Sequence, residues 1–202
     1  MNLVTVEAGR LSVRVGALTQ RVHMNLLLIG YRGTGKTGVA KRLALRLGWD
    51  WIDADVEVEL AAGRAIATIF AEEGEEGFRD RETAVLRRLL TGDRQVLALG
   101  GGVVLRAVNR RLIGAAGRVV WLRAAPETIH ERLTNDPVSS TQRPNLTADG
   151  GLQEIVAVLA DREPLYRQCA EIDVDTEDRD VGEVADEIIS RLDLAPVDRP
   201  SA

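Results

Sequence analysis

The sequence predicts a single α/β domain, in which helices cover both faces of a parallel β-sheet. From Asn25 onward, short apolar runs alternate with segments of helical periodicity, an order typical of parallel strands joined by helices. A glycine-rich loop follows the first apolar run, as expected where a buried strand leads into a helix. The length of 202 residues suits one such domain. We expect it to span residues 24–194.

Five apolar runs are the candidate strands, and the first of them is uninterrupted, as in a strand buried on both faces. The runs lie at residues 26–29, 51–52, 96–99, 119–122 and 172–174. Helix signals fill the gaps between them. Gly48 is predicted to end the first helix and Pro126 to begin the helix after the fourth strand. Asp180 and Glu183 form a predicted capping pair for a last helix that begins near Val181.

Three segments lack this regular alternation. We expect residues 1–23 to be a dispensable, disordered extension, with Met24 as an alternative start, and residues 195–202 to be a disordered tail. The stretch 134–151 has no periodicity and is rich in Ser, Thr, Asn, Asp, Pro and Gly. Such composition predicts a long surface loop, and long loops within compact domains are often lids.

Composition excludes several classes of partner. The formal net charge of -5 gives no general attraction to nucleic acid or to anionic lipid. Charged residues are spread through the first 23 positions, which argues against a signal peptide. The single cysteine, Cys169, cannot form an internal disulfide, as expected in a reducing compartment. We therefore expect a cytoplasmic protein with small-molecule partners, no nucleic acid and no membrane. We also expect a monomer, although composition does not determine the oligomeric state.

Residues 30–37, GYRGTGKT, match the P-loop pattern in full. The glycines let several backbone N–H groups point at one phosphate, and the loop leads into a helix N-terminus, which favours anions. Lys36 is expected to contact the β- and γ-phosphates of ATP, and the Thr37 hydroxyl to bind Mg²⁺. The alternative is a turn that only connects strand and helix. The predicted nucleotide-binding residues of this loop are Gly33, Thr34, Gly35, Lys36, Thr37 and Gly38.

Asp53 and Asp55 follow the second strand, and alternate residues of an extended chain point the same way. Both carboxylates are therefore expected in the crevice beyond the carboxyl ends of the strands. Asp53 is a candidate to support magnesium through water. Asp55 is a candidate to accept a proton from an attacking hydroxyl or to orient it. The alternative is that Asp55 only caps the helix that follows.

Bare backbone and arginines complete the predicted acceptor side. Gly101 and Gly102 follow the third strand, where their N–H groups can approach a substrate closely. The arginines in recognisable local settings are Arg79, Arg143 and Arg162. Arginine suits a carboxylate because its planar fork makes two parallel hydrogen bonds. Glu82, one helical turn after Arg79, either holds that guanidinium or forms an ordinary surface pair.

Together these motifs resemble the shikimate kinase family. The resemblance runs from Met24 to about Leu194 and rests on several motifs in the family's order and approximate spacing. They are the P-loop, Asp53-Ala54-Asp55, Phe78-Arg79, the glycine triplet after Leu99, Arg143-Pro144, and Pro164-Leu165-Tyr166-Arg167. One departure is Asn145, because the family more often has an aliphatic residue directly after that proline.

The resemblance implies a three-layer α/β/α P-loop kinase fold with a five-stranded parallel sheet in the order 2-3-1-4-5. It also implies that Asp55 contacts the ring hydroxyls of shikimate, and that Arg79 and Arg162 hold its carboxylate. Gly101 and Gly102 would close on the same substrate.

Two further arginines take roles from the resemblance on the nucleotide side. Arg143 would move toward the phosphates with the lid, and Arg132 would lie against the adenine. Asp55, Lys36 and Arg143 are then the expected catalytic residues.

The expected reaction transfers the γ-phosphoryl group of ATP, with Mg²⁺ as cofactor, to the 3-hydroxyl of shikimate. Two alternatives stay open at this point. One is a P-loop kinase of another small metabolite, such as gluconate or a nucleoside monophosphate. The other is a regulatory module that binds nucleotide without turnover. A GTPase is disfavoured, because no Asn-Lys-x-Asp sequence follows the fourth strand.

Overall fold

A computed structural model describes residues 3–7, 10–15, 18–21, 24–135 and 151–196, with backbone alone before residue 24. In chain order the elements are β1 (Leu3–Glu7), β2 (Arg10–Val15), β3 (Leu18–Arg21), β4 (Asn25–Ile29), α1 (Lys36–Leu47), β5 (Asp50–Asp53), α2 (Ala54–Ala62), α3 (Ile66–Leu89), β6 (Gln95–Ala98), a 3₁₀ turn (Val103–Leu105), α4 (Ala107–Ala116), β7 (Gly117–Arg123), α5 (Pro126–Asn135), α6 (Gly151–Cys169), β8 (Ile172–Asp175) and α7 (Val181–Arg191). From β4 onward, strands alternate with helices, which confirms the predicted α/β class.

Strands β4 to β8 form one parallel sheet in the order β5-β6-β4-β7-β8. This is the predicted order 2-3-1-4-5, counted from β4. Strand β4 lies at the centre because every one of its residues is apolar or locked by hydrogen bonds, and all five are buried. Asn25, its one polar residue, accepts from Gln95 N and donates to the Gly92 carbonyl. The carboxyl ends of β4, β5 and β6 therefore meet on one rim.

Strand β4 divides the hydrophobic core between the two faces of the sheet. Leu27 and Ile29 belong to a cluster on one face, while Leu26 and Leu28 belong to a cluster on the other. This follows from the two-residue period of a strand that helices cover on both sides. Each fully buried leucine contributes about 1.5–3 kcal/mol to folding, so this strand anchors the sheet that carries the rim.

The predicted helix ends agree with the structure. Gly48 caps α1 in the left-handed region, with φ 64°. Pro126 is the first residue of α5. Asp180 and Glu183 form a complete capping box at the start of α7. These local signals hold because each satisfies backbone groups that a helix end leaves unpaired.

The N-terminal segment differs from the disordered extension expected for residues 1–23. Strands β1, β2 and β3 form an antiparallel sheet, with Glu7 opposite Arg10 and Val15 opposite Leu18. The sequence carries part of the physical reason: polar and apolar residues alternate through β2, and the breaks on either side of β2 are each two residues long and contain glycine. The division of the chain at Met24 stays a prediction.

Two predicted segments fall largely beyond the described residues. The structure assigns Thr134 and Asn135 to α5 and Gly151 to α6, so residues 136–150 of the expected lid, Arg143 among them, lie outside the described residues. So do residues 197–202 of the expected tail. Among the residues that the structure describes, no helix is both long enough and apolar enough to cross a bilayer.

Candidate active site

A cavity of about 510 Å³ opens at the carboxyl ends of β4, β5 and β6. Its wall is formed by the P-loop, the end of β5 with the first turns of α2, the glycine turn after β6, and the end of α5. This is the crevice in which parallel α/β sheets bind ligands. The predicted residues that line it are Gly33, Gly35, Lys36, Thr37, Gly38, Asp53, Asp55, Gly101 and Arg132.

The P-loop curls as its glycines predict. Gly33 and Gly35 have φ of 81° and 83°, a conformation that residues with side chains rarely adopt. The Lys36 ammonium bends back over the loop and donates to the carbonyls of Gly30 and Tyr31, at 2.9 and 2.7 Å. That position places its charge over the turn in which phosphate oxygens are bound.

Thr34 lies apart from the other predicted residues of the loop. Its side chain is buried, and its hydroxyl donates to the carbonyl of Tyr31 at 2.8 Å. Thr34 is absent from the residues that line the cavity. Its side chain therefore closes the loop from inside, and only its backbone is available as a phosphate ligand.

Thr37 and Asp53 bring the oxygen donors that a magnesium ion prefers to one point of the wall. The Thr37 hydroxyl donates to Asp53 Oδ2 at 2.7 Å, beside the cavity. Mg²⁺ binds hard oxygen ligands, keeps several waters and is usually shared with phosphate oxygens. A hydroxyl at the end of the P-loop and a carboxylate at the end of β5 fit that requirement.

The structure corrects the reasoning about Asp55. The residue that caps α2 is Asp53, whose Oδ1 accepts from Asp55 N at 3.0 Å. Asp55 therefore is not the cap, and the alternative that gave it only that role is wrong. It also does not lie in extended chain, because α2 begins at Ala54. Asp55 reaches the cavity from the first turn of that helix instead.

Arg79 is buried behind the glycine turn. Its Nη1 donates to Glu82 Oε2 at 2.9 Å and its Nη2 to Glu75 Oε1 at 3.2 Å. The Arg79 and Glu82 side chains are 5% and 4% exposed, so the surface-pair alternative is wrong. A Cβ added to Gly102 would lie 2.4 Å from Arg79 Nη2, which shows how closely the guanidinium packs against that backbone.

Arg162 approaches the same region from α6. It is 8% exposed, and its guanidinium carbon lies 5.9 Å from the centroid of the Tyr31 ring in the P-loop. On the same helix, the Tyr166 hydroxyl donates to the carbonyl of Gly101 and so ties the glycine turn to α6. Arg79, Gly102 and Arg162 are not among the residues lining the cavity. Arg79 packs behind the glycine turn at Gly102, while Arg162 packs near Tyr31 of the P-loop.

Arg132 joins α5 to the nucleotide side. Its Nη2 donates to the carbonyl of Thr176 at 2.7 Å, and its Nη1 to the Thr176 hydroxyl at 3.0 Å and the Gly33 carbonyl at 3.3 Å. It lines the main cavity and also a second one of about 630 Å³, beside the turn between β8 and α7. A planar guanidinium held at this junction is suited to stacking against a base.

Sequence reasoning missed Arg32 and Glu154. Arg32, in the P-loop, lines the cavity. Its Nη2 lies 3.6 Å from Oε1 of Glu154, whose side chain is only 1% exposed in the first turn of α6. Glutamate is common in the first turn of a helix, so the sequence around Glu154 does not indicate that its side chain contacts the P-loop.

A P-loop at the rim of a parallel sheet in this order, facing an acidic residue and arginines, defines the class of small-molecule kinases with the P-loop fold. The model of the shikimate kinase family matches residues 32–193. The chain belongs to the shikimate kinase family.

Individual relatives agree with this assignment. A shikimate kinase of Rhodopirellula baltica is 43% identical over 165 residues, 82% of this chain and 88% of the relative. One of Symbiobacterium thermophilum is 44% identical over 169 residues, 84% and 96% of the two chains. Among solved structures, the shikimate kinase from Acinetobacter baumannii in complex with shikimate has a TM-score of 0.79 and 36% identity. That match covers 84% of this chain and 93% of the other.

Proposed function

We propose that this protein is an ATP-dependent kinase that transfers the γ-phosphoryl group of ATP to the 3-hydroxyl of shikimate, giving shikimate 3-phosphate and ADP. Family membership supports the activity. The main structural support for this reaction is that Lys36 of the P-loop and Asp55 line the same cavity. A phosphate donor and a hydroxyl acceptor can meet there without a covalent enzyme intermediate.

The proposed chemistry is a direct displacement. The acceptor oxygen attacks the γ-phosphorus, the bond to the β-phosphate oxygen breaks, and ADP leaves with that oxygen. Asp55 orients the hydroxyl and receives its proton. Lys36, the loop N–H groups and Gly38 at the start of α1 bind the phosphates and stabilise the charge that develops on them. Arg143 is proposed to reach the same phosphates.

Thr37 and Asp53 are the residues proposed to hold Mg²⁺, which supplies neutralisation of the β- and γ-phosphate charges when bound. On the acceptor side, Arg79 and Arg162 are proposed to bind the carboxylate of shikimate. Gly101 and Gly102 bring bare backbone against its ring. Arg132 is proposed to lie against the adenine. We also propose that the protein is a monomer and acts in the cytoplasm. Light scattering coupled to size-exclusion chromatography tests the oligomeric state.

The test of the reaction is a coupled ADP-release assay with shikimate, gluconate and nucleoside monophosphates as acceptors. With ATP present, we expect turnover with shikimate and not with gluconate or nucleoside monophosphates. Asp55→Asn is expected to lower kcat by about 100-fold or more, the usual contribution of a positioned general base. Asp50→Asn is the matched control, because that exposed aspartate begins β5, the strand that leads to Asp55, and lies at the end away from the cavity. Robust turnover of shikimate by Asp55→Asn refutes the assigned role.

A further inference from the structure

Arg32 occupies the boundary between the nucleotide loop and the acceptor wall. A Cβ added to Gly101 would lie 3.4 Å from Arg32 N and 3.3 Å from the Gly30 carbonyl oxygen. The P-loop backbone at Arg32 therefore packs directly on the glycine turn. Arg32 and Gly101 line the same cavity, so the Arg32 side chain begins where the two substrates must meet.

The Arg32 guanidinium is held by an aromatic ring and a buried carboxylate. Its guanidinium carbon lies 5.9 Å from the Tyr31 ring centroid, the same distance as that of Arg162. Tyr31 is 1% exposed and packs against Ile129 and Ile155. Glu154, on α6, places its Oε1 atom 3.6 Å from Nη2 of Arg32. A buried carboxylate is stable only when paired, so Glu154 keeps this arginine in place.

Hydrogen-bonding capacity remains on Arg32. The 3.6 Å separation from Glu154 is longer than an ordinary hydrogen bond, so the contact is an ion pair that uses few of the five guanidinium donors. Within the described residues, the buried Nε atom of Arg32 has no hydrogen-bond partner. The Arg32 side chain is 25% exposed and lines the cavity, so its guanidinium still has donors that a ligand in the cavity can reach.

We propose that the Arg32 guanidinium binds the carboxylate of the acceptor beside Arg162, and that Glu154 is the positioning residue that holds it there. The ligand class is a small carboxylate, because the planar fork of arginine matches two carboxylate oxygens. Lys36 bends over the loop onto the carbonyls of Gly30 and Tyr31, and the proposed function assigns it to the phosphates. This inference rests on the proposed function, since it assigns a further contact to the acceptor of that reaction.

The first measurement is turnover of shikimate by the unmodified protein, whose failure would reject the proposed function before any variant is made. In Arg32→Met, KM for shikimate is expected to rise about tenfold or more, the effect of losing one charge-assisted hydrogen bond. KM for ATP is expected to stay within about twofold. Arg87→Met, on the exposed face of α3, is the matched control and keeps both constants.

Two further arms separate binding from a structural effect. An acceptor whose carboxylate is replaced by a carboxamide should lose most of the difference between wild type and Arg32→Met. Glu154→Gln is expected to raise KM for shikimate by about threefold, and to add nothing in the Arg32→Met background. The double variant, Arg32→Met with Glu154→Gln, also removes the buried charge of Glu154, so a loss of stability caused by that charge can be recognised. Thermal unfolding checks the fold of each variant.

Four results would contradict the proposal. An unchanged KM for shikimate in folded Arg32→Met overturns the proposal. So does an equal rise in KM for ATP, which would place Arg32 on the phosphates. An undiminished effect with the carboxamide acceptor, or an additive effect of Glu154→Gln, would mean that the pair acts on the fold instead of on the acceptor.

Discussion

Gly102→Ala is the sharpest test of how the acceptor wall is built. The added Cβ would lie 2.4 Å from Nη2, 2.5 Å from Nη1 and 2.6 Å from Cζ of Arg79. Ordinary contacts begin near 3.4 Å, so the whole guanidinium must retreat by about 1 Å, a displacement that is enough to impair a positioned group. The backbone is not the obstacle, because Gly102 has φ -98°.

The expected effect of that retreat falls on the acceptor. Arg79 is fixed by Glu82 and Glu75, so it cannot move without loosening contacts that orient its fork. Loss of one or two charge-assisted hydrogen bonds to a carboxylate corresponds to about 1.5–3 kcal/mol, or a rise in KM for shikimate of about 10- to 100-fold. KM for ATP should stay within about twofold.

The assay is steady-state ADP release with each substrate varied in turn. Gly114→Ala is the matched control, since a Cβ at that helical glycine meets nothing within 4 Å. It is expected to keep both Michaelis constants and to stabilise α4 by up to about 1 kcal/mol. If folded Gly102→Ala keeps the wild-type KM for shikimate, the contact between that glycine and Arg79 does not govern acceptor binding.

Three other variants test separate parts of the site and fold. Thr37→Val should raise the Mg²⁺ concentration for half-maximal activity by about tenfold or more; an unchanged magnesium titration would contradict the assignment. Glu82→Gln should lower the free energy of unfolding in urea by about 1–3 kcal/mol, because it weakens a buried charged hydrogen bond; a wild-type midpoint would contradict this. The backbone N–H groups of Glu183 and Gly182 lower the pKa of Asp180 in the folded protein. The Asp180 carboxylate therefore stabilises the fold at pH values above the pKa that this residue has in the unfolded chain. That stabilisation is lost as the pH falls through the lower pKa of Asp180 in the folded protein. The stability difference between wild type and Asp180→Asn should therefore shrink in acid, and a constant difference would refute the cap's role.

Local chemistry explains which parts of this molecule were predictable from sequence. The five apolar runs of the sheet, the ends of α1, α5 and α7, and the P-loop each depend on neighbouring residues, and each appears as predicted. The strand order came from resemblance, because periodicity does not determine which strands are neighbours. Before Met24 we expect disorder from the sequence, whereas the structure has antiparallel strand pairs there.

The site was less predictable where tertiary contacts decide the outcome. Asp53 and Asp55 carry the same local signal at a strand end, and only the helix that begins at Ala54 shows which one caps it. Glu82 at one turn from Arg79 is compatible with a surface pair or a buried one, since spacing does not reveal burial. The contact of Glu154 with Arg32 was the least predictable, because the two residues are far apart in the sequence.

These buried carboxylates account for how a chain of net charge -5 can bind two anionic substrates. Arg79 and Arg32 each have a glutamate nearly excluded from solvent, although the Arg79 side chain is 5% exposed and the Arg32 side chain 25%. The paired glutamate makes burial of the Arg79 charge tolerable before any substrate binds. Selection then rests on geometry: a carboxylate that reaches the fork gains charged hydrogen bonds, while a neutral acceptor leaves buried donors without a partner. If Arg79 and Arg32 bind the acceptor as proposed, specificity for an acid follows from arginines whose charge is balanced but whose donors are not all used.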